Sequence, residues 1–537
     1  MFDYVIVGGG SAGCVLAGRL SEDPAVKVCL LEAGPPDTSI LIKVPAGLAV
    51  LAKNQQANWS LNTVPQPGLN GRRGYQPRGK VLGGSSSVNA MIYARGHPAD
   101  YDHWAAEGNP GWSWDEVLPR FIRSEHNERG ADAFHGASGP LNVMDLRSPN
   151  RFGELFVEAA RQCGYRLNSD FNGADQEGVG SFQVTHRNGE RFNAARAYLD
   201  PVRQRPNLSI VTGAHVTRVL FEGRRAVGVA YRAAGGEREV WAVREVLLSA
   251  GALLTPQLLM LSGIGPAEHL QSLGLPVLFD QPGVGANLHD HIDVVQVFDS
   301  PGNHDLFGLS LPGLVRAIKG IFEWRRERRG MLTTNFAETG GFIRSRPEEP
   351  IPDLQLHFVI GKLVDHGRKT QFGPGFSCHV CLLRPLSRGS VRLASADPMA
   401  APLIDPNFLA ERDDMDRMVR GFKLMRAIMH APALAPYRGR ELASAAAVSD
   451  DQIESFIRDH ADTIYHPVGS CRMGPAETDV VDSQLRVRGV SGLRVVDASI
   501  MPRIVGGNTN APVIMLAERA VDFIRETQPV QAATVAA

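Results

Sequence analysis

The sequence predicts an α/β fold, a parallel-sheet domain accompanied by a second domain of mixed α+β character. Three observations predict it. An apolar, β-branched run at Tyr4 to Val7 passes straight into Gly8-Gly9-Gly10-Ser11-Ala12-Gly13, helix-like Val15 to Leu20 follows, and a second apolar run, Val26 to Leu31, ends in Glu32. Val246 to Gly251 and Leu493 to Ser499 repeat the theme of a buried strand reaching a turn of small residues. Between them, from about Asp293 to Asp459, alternating strand patterns and two amphipathic helices take over, which marks a separate substrate-covering domain.

The first element has the spacing G-x-G-x-x-G, and each glycine has a mechanical task. Gly8 permits a tight turn, Gly10 lets backbone approach a pyrophosphate, and Gly13 lets helix and strand pack closely. The helix N-terminus offers free N–H groups to that phosphate. Glu32, 19 residues beyond Gly13, is placed to accept hydrogen bonds from a ribose hydroxyl, and its charge argues against the 2′-phosphate of NADP. FAD and NAD both satisfy the fingerprint.

The bulk numbers suit such a chain. At 537 residues it has room for two or more domains, and 43% apolar against 21% charged residues is a soluble globular balance. A net charge of −1 gives no electrostatic reason to expect nucleic acid. No apolar run is long enough to span a bilayer. A strand starting at residue 2 leaves no room for a secretory leader, and six cysteines make no disulfide framework, so a cytoplasmic location is expected. With 56 Gly and 35 Pro, much of the chain is loop, which suits a site built from loops on a rigid scaffold.

Taken in order, a long Pro- and Asn-rich connection leads from Gly34 to the small-residue cluster Gly83-Gly84-Ser85-Ser86-Ser87, whose N–H groups can line a flat ring or a phosphate. Pro98 to Trp104 and Trp112 to Phe121 read as helices, the second with Ser113 and Glu116 as a capping box. Glu154 to Gly164 is helical. Leu208 to Val211, His215 to Phe221, Ala226 to Tyr231 and Glu239 to Trp241 read as a small antiparallel set. Phe376 to Leu383 and Ser390 to Leu393 read as a hairpin across Arg384 to Gly389. A last helix is expected from Ala511 to about Arg525, then a frayed tail.

Four stretches together carry a resemblance. Residues 79–102, GKVLGGSSSVNAMIYARGHPADYD, residues 249–265, SAGALLTPQLLMLSGIG, and the C-terminal YHPVGSCRMG (465–474) and VVDASIMPRIVGGNTNAP (495–512) resemble the signatures of the glucose–methanol–choline (GMC) flavoprotein oxidoreductases. Its branch of bacterial choline-dehydrogenase-like and aliphatic alcohol dehydrogenases is most similar. The resemblance implies a Rossmann-like FAD-binding domain assembled from discontinuous segments, 1–140 with 205–292 and 460–530, and a substrate domain of 141–204 with 293–459, leaving 531–537 as tail. It implies FAD held by Gly8, Gly10, Gly13 and Glu32 on the ADP half. Val81, Ser85, Asn89 and Tyr465 would sit by the flavin, Val216 near adenine, and Asp497 with Ala498 near the ribityl chain. Some relatives attach flavin through a histidine where this chain has Val88, so FAD is expected to be non-covalent.

The implied reaction oxidises a primary alcohol to an aldehyde and passes electrons to a quinone-type acceptor. The alternatives are an oxidase using O₂ and a non-redox lyase on the same scaffold. Such a reaction needs a base for the hydroxyl proton and a donor to hold the oxygen. His466 is the candidate base among 16 histidines, because an imidazole titrates near working pH. The resemblance makes Asn510 its partner. Glu338 could face a cationic substrate or merely a backbone N–H. No metal is expected. Cys378 and Cys381 alternate to opposite strand faces, and His289-Asp290-His291 follows turn chemistry. Leu314, Ile318, Ile321 and Phe322 with the basic run Arg325 to Arg329 read as a surface helix, with peripheral contact to the inner face of a membrane as the second reading.

Overall fold

Tyr4 to Val7 are buried because their strand, Phe2–Val7, pairs in parallel with Val28–Glu32 on one side and Gly236–Leu248 on the other. The structure, a computed structural model, describes residues 1–51, 55–303, 305–308, 311–363 and 371–527, so the tail expected at 531–537 lies outside the described residues. Leu208–Thr212 extends this sheet beside Val28–Glu32, and Leu493–Val495 adds a strand beside Gly236–Leu248. Sheets of this kind are covered on both faces, which is why these strands are almost wholly Val, Ile and Leu. The helices Ser11–Leu20 and Asn510–Glu526 pack against each other, and their apolar faces join one core with the sheet. The expected capping box is present: the Glu116 carboxylate accepts from both the N–H and the hydroxyl of Ser113 ahead of helix Trp114–Ser124.

The small antiparallel set differs from expectation. Leu208–Thr212 belongs to the parallel sheet, where Asn207 anchors it by donating to the carbonyls of Ser21, Asp23 and Val26. Glu239 to Trp241 and the strand at Val246 are one element, Gly236–Leu248, since no glycine or proline interrupts 237–248. Its first half pairs antiparallel with Arg225–Ala233, itself paired to His215–Glu222; its second half runs parallel beside Phe2–Val7.

The second sheet is antiparallel, in the order Ile292–Asp299, Gly375–Leu382, Leu354–Val359, Thr339–Ile343, Gly178–Ser181. Helices Arg151–Gln162 and Arg412–His430 pack on it around a separate aromatic and aliphatic core. Its strands come from 178–181 and 292–382, joined at the edge beside Ile292–Asp299 by Glu441–Leu442 and by Asp462–Thr463, which pairs with Ile292 and Asp293. The expected hairpin at Phe376 to Leu393 is not formed. Gly375–Leu382 already has a neighbour on each side, and the Asp414 carboxylate accepts from the N–H groups of Leu386 and Ser387, turning the chain away. Ser390–Arg392 pairs with Leu403–Asp405 instead.

Candidate active site

The fingerprint glycines behave as their spacing demands. Gly8 has φ +98°, and a Cβ there would fall 2.5 Å from the Ser249 carbonyl oxygen. At Gly13 a Cβ would sit 1.9 Å from the Gly8 oxygen, closer than atoms can approach. Gly10 is the opposite case: its nearest neighbour would be 3.9 Å away, so its bare backbone faces open space. Glu32 is buried behind this turn, accepting from the Gly9 N–H at 2.8 Å and the Gly34 N–H at 2.7 Å. Burial pushes its carboxyl up to about 7, against the pull of those two N–H groups and Lys80. Each oxygen keeps a lone pair for a further donor.

From this turn a cavity of about 680 Å³ runs past Ser85, Val88, Asn89, Asp497 and Ala498 to Tyr465 and His466, with Val216 also on its wall. The Ser249 hydroxyl on the same wall is buried with no hydrogen-bond partner among the described residues. The Gly10 cradle, the orphaned hydroxyl and the spare lone pairs of Glu32 fit FAD, whose pyrophosphate, ribose and ring need those features. Asp497 is rigidly set: one oxygen accepts from the Gly251 N–H and Thr255 hydroxyl, the other from the N–H and hydroxyl of Ser499. Val81 departs from expectation. It packs behind the wall with Ile42, Leu51 and Ala57, while its neighbour Lys80 faces the cavity.

At the far end the hydrogen bonds run in one direction. The His291 Nε2 lies 3.1 Å from the Leu383 carbonyl, which can only accept, so that nitrogen carries the proton and Nδ1 keeps a lone pair. His466 Nδ1 lies 3.1 Å from this lone pair and must be its donor. The basic nitrogen of His466 is therefore Nε2, 3.4 Å from the Asn508 Nδ2. Gln355 donates to the Asn508 Oδ1 at 3.1 Å and so holds the amide with its NH₂ toward His466. Asp290 fixes the backbone here, accepting from the His466 N–H and the Thr463 hydroxyl, and Tyr465 between them has φ +74°. Such a left-handed tyrosine is a strained position held by its surroundings.

Asn510 lines the cavity but makes no hydrogen bond to His466 among the described residues. It is the first residue of the last helix, and its Oδ1 accepts from the Ser11 hydroxyl at 2.7 Å, tying that helix to the fingerprint helix. The structure brings Asn508, not Asn510, to His466. Both asparagines line the cavity; Asn508, in the loop two residues earlier, is the one within reach of His466, while Asn510 is tied to Ser11.

Burial drives the imidazole of His466 well below its usual range, with His291, His357 and Arg78 adding to the effect. The shift favours the neutral form of the ring. Burial also depresses His291 to about 3 and His357, beside His379, to about 3. His357 lines the cavity with neither ring nitrogen bonded among the described residues. Asp290, likewise buried, rises to about 6.

The cavity wall carries the apolar Met91, Ile92, Phe336, Val359, Leu363 and Ile464 together with the polar Asn335, His357 and His379. Glu338 does not reach it. Ala337 faces the cavity, and Glu338 turns the other way, accepting from the Asn150 N–H at 2.6 Å and the Thr334 hydroxyl. Among the described lining residues, Glu32 and Asp497 are the carboxylates, both on the fingerprint side. Cys378 and Cys381 lie in separate cores, and the rings of His289 and His291 bond backbone groups.

Comparison with known proteins identifies the family. Family models described as GMC oxidoreductase match residues 2–293 and 385–517. The chain is 49% identical to an alcohol dehydrogenase [acceptor] of Pseudomonas putida, covering 98% of this chain and 96% of that protein. It is 46% identical to the mitochondrial choline dehydrogenase of Homo sapiens, covering 98% and 90% respectively. The crystal structure of pyridoxine 4-oxidase from Mesorbium loti superposes with a TM-score of 0.89 at 34% identity, covering 98% of this chain and all of that one. With family models matching residues 2–293 and 385–517 and a full-length relative at 49% identity, the chain belongs to the GMC oxidoreductases, a family of FAD enzymes.

Proposed function

We propose that this chain oxidises an uncharged primary alcohol to its aldehyde and passes the electrons to a quinone-type acceptor, using FAD held without a covalent bond. The observation that carries the reading is the bare Nε2 of His466, which the bond to His291 leaves as the lone pair beside the Asn508 amide. FAD, when bound, supplies the hydride acceptor. His466 takes the hydroxyl proton at Nε2. The Asn508 N–H donates to the substrate oxygen as charge develops on it. The apolar part of the wall excludes water and receives the carbon chain. A trimethylammonium head finds no carboxylate on the described part of that wall, which favours aliphatic or aromatic alcohols over choline. Val88 on the cavity wall, in place of a nucleophilic side chain, supports non-covalent FAD.

The test is anaerobic flavin bleaching across an alcohol panel. Rapid bleaching by 1-alkanols or benzylic alcohols with slow bleaching by choline supports the reading; choline as the fastest substrate overturns the substrate class. His466→Ala should keep its FAD and lose on the order of a hundredfold or more in kcat. Turnover with O₂ alone that matches the rate with a dye acceptor would remove the quinone part. Flavin remaining on the acid-precipitated chain would contradict non-covalent binding.

A further inference from the structure

The helix Leu311–Glu327 wears its amphipathicity inside out. It docks by a narrow face: Gly320, where a Cβ would fall 2.9 Å from Met331, and Trp324, buried with its indole N–H donating to the Gly189 carbonyl at 2.8 Å. The branched and aromatic residues point the other way. Val315, Ile318 and Phe322 follow one another at helical spacing and are 53%, 48% and 62% exposed, with Ile321 beside them at 45%. Lys319, Arg325 and Arg326 share that outer face at the same spacing, and Arg329 follows it past the helix end. Glu323 and Glu327 fall on the flank.

Residues 316–329 hold six Lys or Arg against two Glu in a chain of net charge −1, so the cation excess is local. Arg316 pairs with Asp305, and Arg328 stacks on Trp324 and pairs with Glu190. No ion pair joins Lys319, Arg325, Arg326 or Arg329 to a carboxylate among the described residues. The turn Met331–Thr333 packs against this helix and also against Pro45–Gly47, whose flanks expose Ile40 and Val50. From the same turn the chain continues into Asn335, Phe336 and Ala337, and from Pro45–Gly47 into Leu48 and Ala49, all lining the cavity. The exposed apolar face thus borders the wall of the active-site cavity.

We propose that this face docks on an anionic lipid surface, with Val315, Ile318, Ile321 and Phe322 entering the headgroup boundary and Lys319, Arg325, Arg326 and Arg329 contacting lipid phosphates. An apolar stripe flanked by cations suits a bilayer interface, where both halves are satisfied at once. A second protein copy would bring the same cations against each other, which disfavours self-association. The orientation turns the cavity wall toward the membrane, the phase that dissolves long-chain alcohols. The inference stands on the surface alone and does not require the alcohol reading.

The test is co-sedimentation of the FAD-loaded full chain with vesicles of phosphatidylcholine alone or with about one-third phosphatidylglycerol. Binding to the anionic vesicles is expected, weakening on going from about 0.1 M to about 0.5 M salt. Ile318→Ser with Phe322→Ser should cut the partition about fivefold or more, and Arg325→Glu, Arg326→Glu and Arg329→Glu together about tenfold or more. Both variants should keep wild-type turnover with a soluble dye, which separates docking from chemistry. Wild-type protein left in the supernatant, or both variants binding as wild type does, overturns the proposal. So does a dimer in light scattering that Ile318→Ser with Phe322→Ser dissociates while vesicles go unbound, because the face then belongs to a second copy.

Discussion

His466 Nδ1 lies 3.1 Å from His291 Nδ1, and because the Leu383 carbonyl holds the His291 proton on Nε2, the two rings have one permitted polarity. His291 touches no reacting atom in this reading; it positions the base by deciding which nitrogen is bare. His291→Leu should lower kcat about tenfold or more, since a wrong tautomer disables an otherwise well-placed imidazole. His291→Gln, whose side-chain oxygen can still accept from Nδ1, should recover part of the loss with FAD content unchanged. Equal losses in the two variants would reduce His291 to packing.

The acid limb of kcat/KM reports the free enzyme's base. Burial, with His291, His357 and Arg78, holds the His466 imidazole below its ordinary range, so the neutral form persists to lower pH than for a free histidine. Activity should stay level as pH falls through about 6.5 and drop only below it. A limb above about 7 would contradict the electrostatics of the site.

Asn508 and Asn510 separate chemistry from architecture. Asn508→Ala removes the N–H aimed at the substrate oxygen and should cost about a hundredfold in kcat, the usual loss for one such donor. Asn510→Ala removes the bond to Ser11 between two helices. It should cost about 1 kcal/mol of stability while leaving kcat within about threefold. Reversed outcomes would return the catalytic role to Asn510.

His135 predicts a slope of stability with pH. Burial opposes its charge, but hydrogen bonds to Asp170 and Glu125 outweigh burial and raise the imidazole to about 9. A histidine raised above its unfolded value stabilises fully below about 6.5 and loses that contribution as pH climbs through about 9. Urea midpoints should fall over this window by the equivalent of about 1–3 kcal/mol, and His135→Gln should flatten the slope.

The fingerprint was legible because everything it needs lies within one strand, turn and strand: Gly8, Gly10, Gly13 and Glu32 are close in sequence and in space. His466 was legible through the motif around it. Asn508 was not, because GGNTN offers two asparagines, both of which line the cavity, and the helix start at Asn510 decides which one reaches His466. That start had a signal in Pro512, which favours the first turn of a helix and so places 508 outside it. Glu338 was misleading for a simpler reason: beside a strand, one residue's shift exchanges the two faces, and Ala337 took the inner one. Gln355, His291 and Leu383 are invisible from sequence because they reach their partners only when distant strands are paired.

A Cβ on Gly84 would lie 2.6 Å from the Gly10 Cα, so the wall opposite the fingerprint is supplied by a loop that returns only after a long excursion. Asp497 and the Asn510–Ser11 tie arrive later still, from the last tenth of the chain. The pocket is therefore closed by segments far apart in the sequence, none of which completes it without the others. A chain cut before Asp497 is expected to lose its yellow colour together with its catalysis.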